Sequence, residues 1–138
     1  LLEAGFPEAA LIEYHKAEEG TEHPSPNVQV RKAKCYHKMK QTATAIEVAE
    51  DVARLYPEYT LILTTLGELY EEAKLSTKAL VSWQAAHELN PYDLSTQKAL
   101  IRLYQQQGQS LNVDRHKRYA RILSTGGAIY KGDSEYAK

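Results

Sequence analysis

The sequence predicts an all-helical chain built from repeated helix pairs. Three observations carry that prediction. First, positions recur at one period. Tyr36, Tyr70 and Tyr104 lie 34 residues apart. The same spacing relates Ala33, Gly67 and Ile101; Ala45, Ala79 and Val113; Val52, Ala86 and Ala120; Leu55, Leu89 and Leu123; and Pro57 with Pro91. Shared periods of 20–50 residues mark repeat architectures. Second, ten Tyr stand against one Phe and one Trp, with only seven Gly and five Pro. Tyr joins an apolar ring to a polar tip, which suits half-buried sites between helices. Third, each period splits into two apolar stripes of helical spacing. In the middle copy Leu63, Leu66, Gly67 and Tyr70 fall at i, i+3, i+4 and i+7, and Ala79, Leu80, Trp83, Ala86 and Leu89 follow on a second stripe.

The elements follow in chain order. Residues 1–20 form a partial repeat, with Gly5, Ala10, Tyr14 and Ala17 as the turn and second helix of an earlier copy. Only Leu1–Ala4 remain for its first helix, about one turn. Two readings stay open: a piece of a longer array, with further repeats or domains on the N-terminal side, or a capping helix of which Leu1–Ala4 is a frayed leader. A polar, Pro-containing loop from Glu18 to Pro26 leads to three copies over residues 26–57, 60–91 and 94–124. Within the middle copy Lys74-Leu75-Ser76 is a turn, and the Ser76 hydroxyl is expected to cap the second helix. Asn90-Pro91 ends that helix, because Pro lacks an amide donor and restricts the residue before it. Gly126-Gly127 ends the last helix, and residues 125–138 read as a mobile tail. All three and a half copies are expected to form one solenoid domain, since a lone hairpin of this size cannot bury its stripes.

The middle copy, Leu63…Leu66-Gly67…Tyr70…Ala79…Trp83…Ala86…Pro91, resembles the tetratricopeptide repeat family. Leu63 stands where the family has Trp, and Lys74 where it has a turn Gly. The preceding copy keeps Ala33, Tyr36, Ala45, Val52 and Pro57, but Lys32 replaces the large apolar residue before the small one. The last copy keeps Leu100, Tyr104, Gly108 and Ala120, with Lys117 at the Trp83 position. The resemblance covers roughly Gly5 to Leu123 and implies a right-handed α-solenoid of antiparallel helix pairs.

It also implies a concave groove lined by first helices. The residues facing it would be Asn27, Val30, Lys34 and His37, then Leu61, Thr64, Glu68 and Glu71, then Ser95, Lys98, Arg102 and Gln105. Lys34, Glu68 and Arg102 share the 34-residue period, so one row reads plus, minus, plus. Two readings stay open: a ladder of ion pairs along the groove, or a mixed-charge surface that reads a partner. Some family members clamp a C-terminal carboxylate with basic and Asn residues. The matching positions here include Val30, Lys34, Thr65, Ser95 and Ala99, of which only Lys34 is positive, which argues against that ligand.

Catalysis finds little support. Cys35 and His37 diverge by about 200° on a helix and cannot pair as nucleophile and base. The lone Cys35, which excludes an internal disulfide, reads as a small packing residue. The five histidines, His15, His23, His37, His87 and His116, share no metal-ligand spacing, and no phosphate-cradling loop occurs. No cofactor or metal is expected. Formal net charge is −1, from 17 Lys+Arg and 18 Asp+Glu, which argues against specific nucleic-acid binding. The exception to weigh is the stretch Arg115, His116, Lys117, Arg118, Arg121, either a wet capping face or an anion patch. No apolar run reaches the roughly 20 residues of a membrane span and no signal peptide is visible, so a cytoplasmic location is expected. The leading function is a non-enzymatic scaffold or adaptor that binds a protein or peptide in the groove. The alternatives are an assembly- or secretion-type chaperone, which ranks lower because Val30 and Leu61 are only two apolar residues in the expected groove, and a regulatory segment of a larger enzyme.

Overall fold

A computed structural model of the chain describes residues 6–21 and 24–125. They contain seven helices: α1 (Pro7–Glu18), α2 (Pro26–Lys38), α3 (Thr42–Leu55), α4 (Thr60–Glu72), α5 (Ser76–Leu89), α6 (Leu94–Gln106) and α7 (Ser110–Thr125). Consecutive helices pair antiparallel, and no strand occurs among the described residues. The chain reverses between helices at Lys40–Gln41, Pro57, Lys74-Leu75, Pro91 and Gly108-Gln109, as expected, while Ser76 and Ser110, expected in turns, already open α5 and α7. Leu1–Gly5, Gly126-Gly127 and the remainder of the expected tail lie outside the described residues; Thr125 belongs to α7. The chain comprises two compact units, one ending at Ser82 and one beginning at Trp83, within α5.

The hairpin turns repeat at backbone level. Lys40, Lys74 and Gly108, again 34 apart, adopt φ of 62°, 63° and 70°. Each follows a first helix and reverses the chain. The next amide then donates back to the conserved-period tyrosine: Gln41 N–H to Tyr36 C=O at 2.9 Å, Leu75 N–H to Tyr70 C=O at 2.8 Å, Gln109 N–H to Tyr104 C=O at 3.0 Å. This six-residue closure is the Schellman arrangement, which satisfies carbonyls the helix end leaves open. Lysine fills a left-handed position at two of the three turns, where glycine carries no Cβ penalty. Ser76 is the first residue of α5, and its hydroxyl makes no capping bond. The Leu75 amide closes the end of α4, and the Leu75 carbonyl accepts the first α5 bond, from the Ala79 amide at 2.9 Å. A side-chain cap does form at α6, where Asp93 accepts from the Ser95 amide at 3.2 Å and the Thr96 hydroxyl at 2.7 Å.

In the first unit α2 packs against α1, α3 and α4, and α3 packs against α4. Ala33, Ala45 and Ala49 are fully buried and let the helices approach, while Val30, Val52, Ile62, Leu66 and Leu69 fill the space between them. The Tyr70 hydroxyl donates to Glu50 at 2.5 Å, tying the first helix of one copy to the second helix of the copy before. Burial, then the Glu50 carboxylate that accepts its hydrogen, push the Tyr70 phenol well above its ordinary value. In the second unit α6 packs on α7 through Leu100, Leu103, Tyr104 and Val113. Tyr104 repeats the Tyr70 staple, accepting from Gln84 at 2.7 Å. Trp83 is 2% exposed, as the register requires.

One apolar column needs correction. Leu55 and Leu89 are not core: they are 71% and 42% exposed, while Leu123 is half-buried. Leu55 and Leu89 are each the last residue of their helix, with no further helical turn to cover them. Lys32, in contrast, is buried although it replaces an apolar residue. Its ammonium reaches Glu18 Oε2 at 3.1 Å, and Gln29 donates to the other Glu18 oxygen. A buried ammonium is tolerated only with such a partner.

Candidate functional site

The helical period places the expected groove residues on one face of each first helix. Asn27, Val30, Lys34 and His37 follow i, i+3, i+7 and i+10 along α2. Asn27 and Lys34 are exposed, but Val30 is 1% exposed and packs in the core, offering no surface to a partner. His37 is half-buried with its Nδ1 enclosed and without a hydrogen-bond partner. On α4, Leu61 and Glu68 are exposed and Thr64 and Glu71 are half-buried. The Thr64 and Thr65 hydroxyls both donate to the Leu61 carbonyl, at 3.0 and 2.7 Å, so neither is offered outward. Lys34 and Glu68 are both solvent-exposed, and among the described residues neither enters an ion pair; the ladder expected between them is not closed. In the second unit Ser95, Lys98, Arg102 and Gln105 are all exposed on α6. The carboxylate-clamp positions fare worse, since Val30, Thr65 and Ala99 are buried.

The first unit also has an apolar recess of about 480 Å³ at the α3–α4 turn, walled by Leu55, Tyr56, Pro57 and Tyr59 with Pro26. A smaller one of about 360 Å³ lies by His37, Lys40, Thr42 and Glu72. No group of three or more His, Cys, Asp or Glu suited to a metal ion occurs among the described residues. No helix among them is long and apolar enough to cross a membrane.

The second unit holds a polar cluster that sequence reasoning missed. Gln97 is fully buried on α6. Its side chain lies 2.7 Å from His87 Nδ1 on α5, 2.6 Å from His116 Nδ1 on α7 and 3.3 Å from the Pro91 carbonyl. His116, read as part of a surface basic stretch, is 5% exposed. Its ring stacks on Tyr104 at 5.5 Å and meets His87 edge-on at 5.2 Å. Burial, then the nearby His87 and Arg115, lower the His116 pKa to about 4. A sequence signal existed. His116 falls one turn after Val113 on the stripe that continues to Ala120, and Gln97 occupies the period position of Leu63. The two histidines, however, are 29 residues apart, and no spacing rule joins them.

This architecture, helix pairs with a 34-residue period and small residues at the crossings, is the tetratricopeptide fold, in about three and a half copies. Solved structures of MamA share it. One MamA crystal structure superposes with a TM-score of 0.82 at 16% identity, covering 94% of this chain and 75% of that one. An RS-1 MamA double mutant gives 0.77 at 20% identity, covering 88% and 68%. MamA from AMB-1 gives 0.76 at 17% identity, covering 95% and 71%. No family model and no curated protein matches the sequence. At such identities the likeness concerns the fold.

Proposed function

We propose that the chain is a non-enzymatic protein–protein interaction module, a scaffold or adaptor segment that holds an extended or helical peptide against its first helices. The observation that carries this reading is the pair of charges on the first helices of the first unit, Lys34 on α2 and Glu68 on α4, both exposed and outside any ion pair among the described residues. They stand on helices whose buried faces are locked by packing, and a preformed surface lowers the ordering cost of binding. Mixed charge gives discrimination between partners more than raw affinity. Burial of Val30 leaves Leu61 as the exposed apolar side chain of the expected groove set, which weakens the chaperone alternative.

The test is a pull-down from the native extract with two variants side by side. Glu68→Lys reverses an exposed charge, so the fold should survive while partner capture changes. Arg118→Glu on α7 should leave groove capture intact. Loss of the partner with Arg118→Glu but not with Glu68→Lys would sink the groove reading.

A further inference from the structure

The second unit carries a recess of about 370 Å³ between α5 and α7, floored by Leu100 and Tyr104 of α6. That volume lies in the range of small-ligand sites. Its chemistry follows from hydrogen-bond accounting around Gln97. The Pro91 carbonyl can only accept, so the Gln97 nitrogen faces it and also donates to His87 Nδ1. The Gln97 carbonyl oxygen therefore faces His116 and accepts from its Nδ1–H. A neutral imidazole has one N–H. His87 then carries its hydrogen on Nε2, and His116 on Nδ1. Tyr104 accepts from Gln84 and keeps its own hydroxyl hydrogen. Among the described residues Arg115 enters no ion pair.

Three donors on the recess wall are thus uncommitted: His87 Nε2–H, Tyr104 O–H and the Arg115 guanidinium. The His116 ring packs on Tyr104 at 5.5 Å and on Tyr119 at 5.7 Å, which fixes those walls in advance. Glu88 is the one carboxylate on the lining. Outside it, Arg118 follows one turn after Arg115 on the same face of α7, and Lys117 and Arg121 add to the positive field. Two features bear on the ligand. A metal finds one free imidazole lone pair, His116 Nε2, because the Gln97 contact leaves His87 Nε2 protonated. A phosphate dianion would meet Glu88 with twice the charge of a carboxylate.

We infer that this recess is a second docking site, distinct from the first-helix surface, which takes a carboxylate side chain of an acidic segment of a protein partner. Arg115, Tyr104 O–H and His87 Nε2–H donate to its oxygens, and Arg118 receives the next acidic residue. The structure thereby assigns a role to the basic stretch of α7.

The test uses the full chain with labelled histidines and follows the His87 and His116 ring resonances by NMR. The probes are an end-blocked hexapeptide of Glu, its Gln counterpart, acetate and inorganic phosphate. The Glu peptide should shift both rings saturably, and the Gln peptide should not. Arg115→Gln, an exposed position, should weaken the Glu peptide at least fivefold, and Tyr104→Phe should weaken it with circular dichroism unchanged. Glu68→Lys and Lys98→Gln should leave it unaltered, so failure here leaves the first-helix reading standing. Equal binding of the Gln peptide, or no effect of Arg115→Gln, overturns the site. Acetate or phosphate binding as tightly as the peptide overturns the protein partner in favour of a free anion.

Discussion

Acidification should weaken the fold through one residue, His116. In the unfolded chain its imidazole titrates near 6.5; in the folded chain burial beside His87 and Arg115 lowers that to about 4. Between these values the unfolded chain binds a proton that the folded chain does not. Stability is therefore full above about pH 6.5 and falls as the pH drops towards 4. At 1.36 kcal/mol per pH unit the gap amounts to roughly 3 kcal/mol, a large share of a typical domain's stability. The measurement is urea unfolding at several pH values between 7.5 and 4, followed by the fluorescence of Trp83. That residue is the only Trp in the chain and is 2% exposed in the same unit. The comparison that isolates this residue is with His116→Asn. Its amide can donate near the former Nδ1–H to Gln97 but cannot titrate. The variant should start less stable, from lost packing, and lose about 2–3 kcal/mol less than the parent over the range. Equal slopes for the two proteins, or a His116 ring titration centred near 6.5, would refute the reasoning.

Two further sets of substitutions, at the hairpin turns and at a buried ion pair, test the fold. Lys40→Gly and Lys74→Gly should each stabilise by about 0.5–1 kcal/mol, because both lysines sit at φ near 60° where a Cβ is strained. Gly108→Ala should destabilise by about 1 kcal/mol in thermal melts; nothing lies within 4 Å of the added methyl, so any loss is backbone strain. Glu18→Ala should cost roughly 2–4 kcal/mol by stranding the 8%-exposed Lys32, and the double change Glu18→Leu with Lys32→Leu should recover most of it in circular-dichroism melts.

Helix existence and hairpin turns were legible because packing residues recur. A side chain at Ala45, Ala79 or Val113 faces the same kind of neighbour in every copy, so selection for a crossing leaves a period. Even the departures from apolar columns, Lys32 and Gln97, were visible as polar residues at positions where the middle copy has Leu66 and Leu63. Of the residues the family resemblance put on a partner-facing surface, Lys34, Glu68 and Lys98 are exposed, whereas Val30, on the same stripe as Lys34, is core. The stripe lies at a helix boundary where a few degrees of rotation decide between interior and water.

Local order along the chain therefore determined which residues form helices, where the chain reverses, and that apolar faces must stack. Only tertiary structure decided how buried polar groups are satisfied. Lys32 finds Glu18 fourteen residues upstream, and Gln97 bridges His87 and His116 from two other helices. The physical reason is geometric. Periodicity reports which face of a helix turns inward, but a hydrogen bond needs donor and acceptor within about 3 Å, and that proximity is set by how separate helices meet.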